Sequence, residues 1–376
     1  MAANEASGTQ LEELELFYEE LRQANGHPLW VRDPNPPKVL PFLWKWSDYR
    51  PLLMKAMEVV PMEMANRRAL FFANPGLKEQ KSATSTLLAN LQVIKPGEIA
   101  PTHRHSPSAL RFVIEGKGAF TSVEGEKSYM EPGDFVTTPN WTWHDHGHEG
   151  EGPMIWLDGL DQPLVEKFEA LFWEGYEDET YPLSKVNGLS QRMYGAGSLR
   201  PTWMKYRDPD KPFIDYQRDS PMVNYKYAQA RDTLFQLAKE TGGSPFDGVT
   251  LEYVNPNTGG AAFATMACFA QLLGKGQHTK AHRHTGGTIY HVIEGKGHSV
   301  IGGTRFDWGD KDTFVVPSWS WHEHVSETDA VLFSYNDTPV ISKLGLFREE
   351  AYGETGGQQA VTGTFSGKGL GPAIGR

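Results

Sequence analysis

The sequence predicts an all-β protein that contains two copies of one barrel or sandwich domain. One observation is a succession of short runs of apolar and β-branched residues with glycines between them, which is typical of closely spaced strands. The other is a set of three motifs that occurs twice. His103-Arg-His105 reappears as His282-Arg-His284, 179 residues further along the chain. A repeat of this length that keeps its register indicates a duplicated domain.

The other motifs of the repeat keep nearly the same spacing. The run VIEGKG begins at Val113 and again at Val292, and the Trp-His pairs that end at His144 and His322 are 178 residues apart. The two copies therefore differ by a net single residue between the second and third motifs. The strands that residue type predicts are 87–94, 112–114, 119–123, 135–138 and 154–157 in the first copy, with 249–254 at the start of the second.

The segments outside the two domains have a different pattern. Apolar residues recur at helical spacing in 11–25, and residues 163–174 and 227–240 are also predicted to be helical. The end of the chain is rich in glycine and poor in apolar residues, which predicts partial disorder. We therefore expect an N-terminal arm (1–65), a first domain (66–164), a partly helical connector (165–245), a second domain (246–345) and a C-terminal tail (346–376).

Composition disfavours several classes of function. The formal net charge of −11 at pH 7 argues against a nucleic-acid partner. Cys268 is the only cysteine, so the chain forms no internal disulfide and suits a reducing compartment. The first residues lack a basic segment followed by an apolar run, and no stretch approaches the roughly 18 apolar residues of a membrane span. We expect a cytoplasmic protein without membrane partners.

The histidines of the repeat predict a metal site. His103 and His105 are two residues apart, so on a strand they point to the same face, and His144 lies on a later strand. Three neutral imidazoles suit Fe(II), Zn, Cu or Ni, and three protein ligands leave coordination positions open for catalysis. The alternative is that these histidines are solvated or satisfied core residues, which the repetition of the trio disfavours. The second trio, a candidate second metal site, is His282, His284 and His322.

The spacing around these histidines resembles the two motifs of the cupin superfamily. The first motif matches as Gly97-(x5)-His103-x-His105, and the second as Gly133-(x5)-Pro139-(x4)-His144. Both copies lack the usual glutamate ligand of cupins, which leaves a site of three histidines and no carboxylate. The resemblance implies a bicupin, with two jelly-roll β-barrels joined to the helical N-terminal arm and the partly helical connector.

The second copy departs from the motif at one glycine. By strict spacing, Lys311 stands where the first copy has Gly133. The alternative is that Gly309-Asp310 takes the role of Gly133-Asp134, with two extra residues in the turn.

From about residue 41 to 348 the chain resembles gentisate 1,2-dioxygenases, whose motifs are largely shared by salicylate and 1-hydroxy-2-naphthoate 1,2-dioxygenases. The resemblance implies an oxidoreductase that opens the ring of gentisate with O2 to give maleylpyruvate, in aromatic catabolism. It also implies a homotetramer and one Fe(II) held by the first trio, with a second Fe(II) if the second cupin binds metal. The similar segments are RRAL (67–70), ANPG (73–76), APTHRHS (100–106), WLDGLD (156–161) and YVNP (253–256).

The same resemblance assigns roles to residues around the metal. The planar fork of an arginine matches a carboxylate, and Arg111 is assigned to the carboxylate of the substrate. Arg67 and Gln92 are assigned to further contacts with substrate or oxygen, and the alternative for Arg67 is a structural ion pair. Tyr290 stands at the position of Arg111 in the second copy, which favours the first copy as the main active site.

His146 and Asp158 are the predicted proton-handling pair. His146 lies two residues after His144 and shares its face, and an aspartate partner would hold its tautomer and raise its pKa. The resemblance implies that this pair assists the 5-hydroxyl of gentisate. The alternative for His146 is that it supports the metal ligands from outside. Leu88 and Asn90 are expected to face the aromatic ring.

Two other classes of bicupin compete with this interpretation. A non-catalytic binding or storage bicupin has generally lost the metal histidines, of which six remain here. A metal-dependent isomerase or decarboxylase usually keeps the carboxylate ligand that this chain lacks. The choice among gentisate, salicylate and 1-hydroxy-2-naphthoate stays open, as does the metal, since three histidines bind Zn or Cu more tightly than Fe(II).

Overall fold

The computed structural model describes residues 8–26, 28, 39–77, 80–195 and 219–367. The chain divides into a short unit, Met1–Lys38, and a large one, Val39–Arg376. In the short unit, the helix predicted for 11–25 is present as α1 (Gly8–Gln23), and the chain turns at Asn25, which has a φ of 54°. Within the described residues, no helix combines the length and the hydropathy that a membrane span requires.

The large unit consists mostly of short strands. Up to residue 195 its elements are β1 (Phe42–Trp44), α2 (Trp46–Val59), α3 (Met62–Ala65), β2 (Arg68–Phe71), β3 (Leu88–Ile94), β4 (Ile99–His105), β5 (Ala109–Glu115), β6 (Ala119–Val123), β7 (Glu126–Tyr129), β8 (Phe135–Thr138), β9 (His144–His148), β10 (Met154–Leu160), α4 (Gln162–Lys167), β11 (Trp173–Gly175) and α5 (Leu189–Tyr194). From residue 219 they are β12 (Asn224–Tyr225), α6 (Tyr227–Glu240), β13 (Val249–Glu252), β14 (Ala267–Leu273), β15 (His282–His284), β16 (Thr288–Glu294), β17 (Gly297–Ile301), β18 (Thr304–Trp308), β19 (Thr313–Val316), β20 (His322–Ser326), β21 (Ala330–Asn336), α7 (Thr338–Lys343), β22 (Glu349–Ala351), a 3-10 turn (Thr355–Gly357) and β23 (Gly363–Thr364).

Each copy of the repeat forms two β-sheets, as the bicupin prediction requires. The first copy has the strand orders β12-β8-β5-β10-β3-β2 and β11-β4-β9-β6-β7. The second has β1-β19-β16-β21-β14-β13 and β22-β15-β20-β17-β18-β23. The central strands correspond one to one, so the duplication predicted from the motifs is confirmed in the topology.

The two barrels pack against each other through one sheet of each. The outward side chains of β3, β5 and β10 share one apolar core with those of β14 and β21, and the rings of Phe112 and Phe333 stack in it at 4.3 Å. Separate cores fill the interior of each barrel and include Trp156 in the first and Phe314 in the second. Because side chains alternate along a strand, residues that flank those of the shared core point into the barrel interior.

Each barrel takes an edge strand from the segment that precedes the other barrel. Strand β1 pairs with β19 of the second barrel, and β12 pairs with β8 of the first. A lysine follows each strand and binds an aspartate of the barrel it has joined, at 2.8 Å for Lys45–Asp312 and 2.6 Å for Lys226–Asp134. Helices α2 and α6, of 14 residues each, come next. The duplication therefore extends into segments that the sequence assigned to the arm and the connector.

The structure decides between the two alignments of the second copy. The N–H of Gly133 donates to the Val113 carbonyl at 2.8 Å, and the N–H of Lys311 donates to the Val292 carbonyl at 2.7 Å. Both residues have a positive φ, 88° for Gly133 and 67° for Lys311. The strict spacing is confirmed, and the alternative role for Gly309 is wrong, because the bond to the preceding strand fixes the register.

Two predictions at the edges of the barrels need correction. The helix predicted for 163–174 ends at Lys167, and residues 173–175 instead form β11, which completes the open edge of β4. In the tail, β22 pairs with β15, and β23 runs parallel to β18, where Phe365 packs 4.9 Å from the ring of Phe306. Residues 368–376 lie outside the described part of the chain.

Candidate active site

The first histidine trio converges inside the first barrel. His103 and His105 lie on β4, and His144 begins β9 directly opposite His103. One ring nitrogen from each histidine lies within 4.8 Å of the other two. The antiparallel pairing of β4 with β9 therefore brings together residues that are 39 positions apart in the sequence.

Backbone carbonyls fix the orientation of these three rings. The Nδ1 atoms lie 3.2 Å from the Pro101 carbonyl for His103, 2.7 Å from Pro107 for His105 and 2.9 Å from Thr142 for His144. Because a carbonyl only accepts, the Nδ1 of His105 and of His144 carries the hydrogen, and the Nε2 of each keeps a free lone pair. The Nδ1 of His103 also lies 2.8 Å from the Arg67 Nη2, which only donates, so these contacts do not fix the tautomer of His103. The buried Nε2 of His144 has no hydrogen-bond partner. This donor set fits a divalent metal ion.

Burial keeps the trio in the neutral form that binds metal. It lowers the pKa of His103 to about 2, with a further contribution from the charge of Arg67, and lowers the pKa of His105 to about 4. The pKa of His144 is also held well below its ordinary value, first by burial and then by the neighbouring histidines. At neutral pH no proton competes with a metal ion for these nitrogens.

Arg111 and Asp158 form a buried ion pair beside the trio. They face each other across β5 and β10, and the Arg111 Nε lies 3.5 Å from the Asp158 Oδ1. Arg111 also donates through Nη1 to the Thr138 hydroxyl, while its Nε has no hydrogen-bond partner. Burial raises the pKa of Asp158 to about 6, against the opposing effect of Arg111.

A second arginine lies close to the histidine trio. Arg67, directly before β2, places its Nη2 3.2 Å from the Pro101 carbonyl and 2.8 Å from the Nδ1 of His103. Burial, and then the charge of Arg111, lowers the pKa of Arg67 to about 9. Among the described residues no carboxylate pairs with it, whereas its neighbour Arg68 forms a salt bridge with Glu98 at 2.6 Å. In the described part of the chain, Arg67 therefore does not form the structural ion pair that was its alternative role, and the adjacent Arg68 forms one with Glu98.

His146 and Asp158 do not form the hydrogen bond that the sequence predicted. His146 lies on β9, fully buried, and its Nδ1 is 2.9 Å from the Thr121 hydroxyl, while its Nε2 has no partner. Asp158 lies on β10, in the other sheet, where it accepts from the Trp156 indole at 2.9 Å. Trp156 contacts both residues, because its ring also lies 5.5 Å from that of His146. The sequence analysis did not predict Trp156 as the hydrogen-bond donor to Asp158, although Trp156 is the first residue of the WLDGLD motif.

Residues of β3 complete the wall of the site. Leu88, Asn90 and Gln92 alternate with the residues of the shared core and are all buried. Asn90 lies opposite Asp158 across β3 and β10, and its Oδ1 has no hydrogen-bond partner. An unsatisfied buried amide at this position is available to a ligand.

The second trio is arranged similarly but in different surroundings. The rings of His282 and His322 are 4.4 Å apart, as in the first site, whereas His284 is more distant, at 5.3 Å from His322 and 5.7 Å from His282. The Nδ1 of His282 lies 3.1 Å from Glu349, and its Nε2 lies 3.6 Å from Asp247. The buried Nε2 atoms of His282 and His322 have no hydrogen-bond partner.

Comparison with known proteins agrees with this fold and site. The model of the cupin domain family matches residues 90–159 and 269–335. Gentisate 1,2 dioxygenase 1 of Aquipseudomonas alcaligenes is 43% identical over 89% of this chain and 95% of its own length. 5-Aminosalicylate 1,2-dioxygenase of Comamonas sp. is 39% identical over 94% of each chain. The crystal structure of salicylate 1,2-dioxygenase from Pseudaminobacter salicylatoxidans superposes with a TM-score of 0.83 at 31% identity, and covers 93% of this chain and 99% of that one.

These relatives extend over nearly the whole chain, including both barrels and the first histidine site. A non-catalytic storage bicupin and a cupin isomerase are therefore excluded as the family of this protein. The chain belongs to the gentisate and salicylate 1,2-dioxygenase family of bicupins, and it is a ring-cleaving dioxygenase.

Proposed function

We propose that this enzyme cleaves the ring of gentisate with O2 to give maleylpyruvate, and that His103, His105 and His144 hold Fe(II) for the reaction. The observation that carries the proposal is the neutral trio, in which His105 and His144 keep a free Nε2, next to the buried Arg111 and the half-buried Arg67. Fe(II), when bound there, supplies the redox chemistry that joins O2 to the ring. The residues around it bind and orient the substrate and manage its protons.

Arg111 and Arg67 are assigned to the carboxylate of the substrate. Two arginines and a single aspartate give this buried pocket a net positive charge, which favours an aromatic anion. The Nη1 of Arg111 donates to Thr138, and its Nε lies 3.5 Å from Asp158 but has no hydrogen-bond partner. Gln92 and Asn90 present polar groups from β3, and Leu88 presents an apolar one to the ring.

His146 is assigned to the 5-hydroxyl of gentisate. Burial lowers its pKa well below the ordinary value, so the ring is neutral, and its Nε2 has no partner. A neutral imidazole with one free nitrogen can accept the phenolic proton or hold it by a hydrogen bond. Asp158 acts in this scheme through Arg111 and through Trp156, since it does not contact His146.

Several further properties belong to the same proposal. We assign a second Fe(II) to His282, His284 and His322, supported by the free Nε2 atoms of two of these residues. The domain limits of 66–164 and 246–345 follow from the sequence pattern, and the homotetramer follows from the family resemblance. The single cysteine supports a cytoplasmic location.

Salicylate 1,2-dioxygenase activity is the second candidate, with 1-hydroxy-2-naphthoate as a further substrate of the same class. A crystal structure of the salicylate 1,2-dioxygenase contains gentisate adducts, so an enzyme of this architecture that is named for salicylate also binds gentisate. A relative of 37% identity over 84% of this chain is named a 1-hydroxy-2-naphthoate 1,2-dioxygenase, from Nocardioides sp.. The shared 2-hydroxy acid would bind the same arginines.

The test is O2 uptake by the Fe(II)-loaded enzyme with gentisate, salicylate and 1-hydroxy-2-naphthoate in parallel. We expect uptake with gentisate, together with the absorbance of a maleylpyruvate-like product, and its loss in Arg111→Ala. Tyr290→Phe is the matched control, since Tyr290 occupies the equivalent position in the second cupin, and it should retain uptake. Uptake with salicylate alone would replace gentisate as the substrate. No uptake with any of the three acids, despite bound iron, would overturn the proposal.

A further inference from the structure

Tyr335 extends from the second cupin into the wall of the first-cupin site. It lies on β21, is fully buried, and packs in the apolar core that the two barrels share. Its hydroxyl donates a hydrogen bond of 2.8 Å to the Leu88 carbonyl at the start of β3. Its ring covers Gly159 on β10 so closely that a Cβ added there would lie 2.6 Å from the ring.

These two contacts fall on the strands that carry the wall of the site. The ladder between β2 and β3 ends at the pair Phe71–Asn90, and one more backbone bond joins Phe72 to the Ala89 carbonyl. Beyond that point, the carbonyl of Leu88 is held by the Tyr335 hydroxyl. Gly159 directly follows Asp158, so the same side chain touches the backbone on both sides of the site.

The contact is not duplicated in the other direction. Gly159 pairs with Leu110 in the first cupin, and Tyr335 pairs with Ile289 in the second, 179 residues further on. The position that carries Tyr335 in the second cupin therefore carries a glycine in the first. That glycine leaves the space into which the tyrosine ring fits. Because it has no side chain, it makes no equivalent contact with the second cupin.

Two other hydrogen bonds between the barrels lie near the same strand ends, and these two are equivalent by the repeat. They provide a comparison for the Tyr335 bond, which has no equivalent. The Thr86 hydroxyl donates to Asp337 at 2.7 Å, and the Thr265 hydroxyl donates to Asp161. Thr86 precedes β3 in the first cupin, and Thr265 precedes β14 in the second. These two bonds join the barrels in both directions, whereas the Tyr335 bond runs only from the second cupin to the first-cupin site.

We propose that Tyr335 is a positioning residue, through which the second cupin sets the distance between the ring-facing residues of β3 and the bound aromatic acid. The inference rests on the proposed function, because it concerns the substrate of that site. Gentisate and salicylate differ by the 5-hydroxyl, so a small shift of Leu88 and Asn90 changes how well each acid fits. Loss of the hydroxyl of Tyr335 lets the start of β3 relax without removing any group that touches substrate.

The experiment compares Tyr335→Phe with Thr265→Val. Anaerobic calorimetry of the Fe(II)-loaded proteins gives the Kd of gentisate and the Kd of salicylate, and thermal unfolding gives Tm. We expect Tyr335→Phe to change the ratio of the two Kd values by about three- to tenfold, the range expected for one neutral hydrogen bond. Thr265→Val removes another hydrogen bond between the barrels, from the Thr265 hydroxyl to the Asp161 carboxylate, and it should lower Tm while leaving the ratio at the wild-type value.

A merely structural role would give a lower Tm and an unchanged ratio in both variants, and that result overturns the inference. An equal change of the ratio in both variants also overturns it, since the effect would then be general to the barrel interface. O2 uptake by the wild type reports separately on the proposed function. If the wild type binds both acids but takes up no O2, the proposed function fails while the Kd ratio still tests Tyr335. If it binds neither acid, both proposals fail.

Discussion

The two cupins hold the same three histidines in opposite electrostatic surroundings. In the first, the nearest charged groups are Arg67 and Arg111, offset in part by Asp158. In the second, Tyr290 and Ser334 face each other where Arg111 and Asp158 face each other in the first. A charged pair in the first cupin thus corresponds to an uncharged pair in the second.

Acidic groups replace basic ones on the other side of the second trio. Asp247 and Glu349 both approach His282, whereas the equivalent ligand His103 has Arg67 at 2.8 Å. Trp173 occupies the position of Glu349 in the first cupin, where its ring stacks on His103 at 5.9 Å. Under the proposed function, the trio sets where the metal binds, and the charges around the trio set whether an organic anion can bind beside it.

The largest expected effect comes from removing one ligand in each cupin. His105→Ala should abolish O2 uptake, because two histidines leave the metal of the first site weakly held. His284→Ala should retain most of the activity, because the second cupin lacks the arginine pair. Iron content per chain and O2 uptake, measured on both variants, check this. Equal loss of activity in the two variants would contradict the division of roles.

The next largest effect on activity is expected from Arg67→Ala. It should lower kcat/KM about 10- to 100-fold, since a hydrogen bond to a charged group contributes about 1.5–3 kcal/mol. The adjacent Arg68→Ala is the matched control, because Arg68 pairs with Glu98 and should lower Tm with little change in KM. Steady-state kinetics and thermal unfolding separate the two. If Arg67→Ala changes only Tm, its role is structural.

The pH dependence of the reaction should report the protonation of Asp158. Its pKa is raised to about 6, so the carboxylate that holds Arg111 is lost as the pH falls through about 6. We expect kcat/KM to decline below that pH, and the decline to disappear in Asp158→Asn, which has lower activity throughout. An identical acidic limb in Asp158→Asn would assign it to another group.

The smallest effect on activity is expected from Glu349→Gln. Glu349 lies 3.1 Å from the Nδ1 of His282, and loss of such a partner weakens metal affinity about 10- to 100-fold. Calorimetric titration of Zn(II) into the His105→Ala protein, with and without Glu349→Gln, measures the second site alone. The single variant Glu349→Gln, with His105 intact, should turn over at the wild-type rate. Unchanged affinity would mean that Glu349 does not orient His282.

Much of the fold could be predicted from the sequence because its signals are local or repeated. Strands 119–123 and 135–138 and the helix 227–240 have the predicted bounds, since alternation and helical spacing of apolar residues act over a few positions. The two-barrel architecture followed from the 179-residue repeat. Strand β11 was missed, because residues 173–175 become a strand only when β4 offers an open edge.

For the site, the sequence by itself determined the three histidines, the arginine that distinguishes one cupin from the other, and the resemblance to ring-cleaving dioxygenases. Residue type and spacing carry that information without any long-range contact. Only the tertiary structure decided that Asp158 pairs with Arg111 and accepts its hydrogen bond from Trp156 and not from His146. It alone joined Tyr335 to Leu88, 247 residues apart, because packing between two sheets leaves no pattern in the sequence of either.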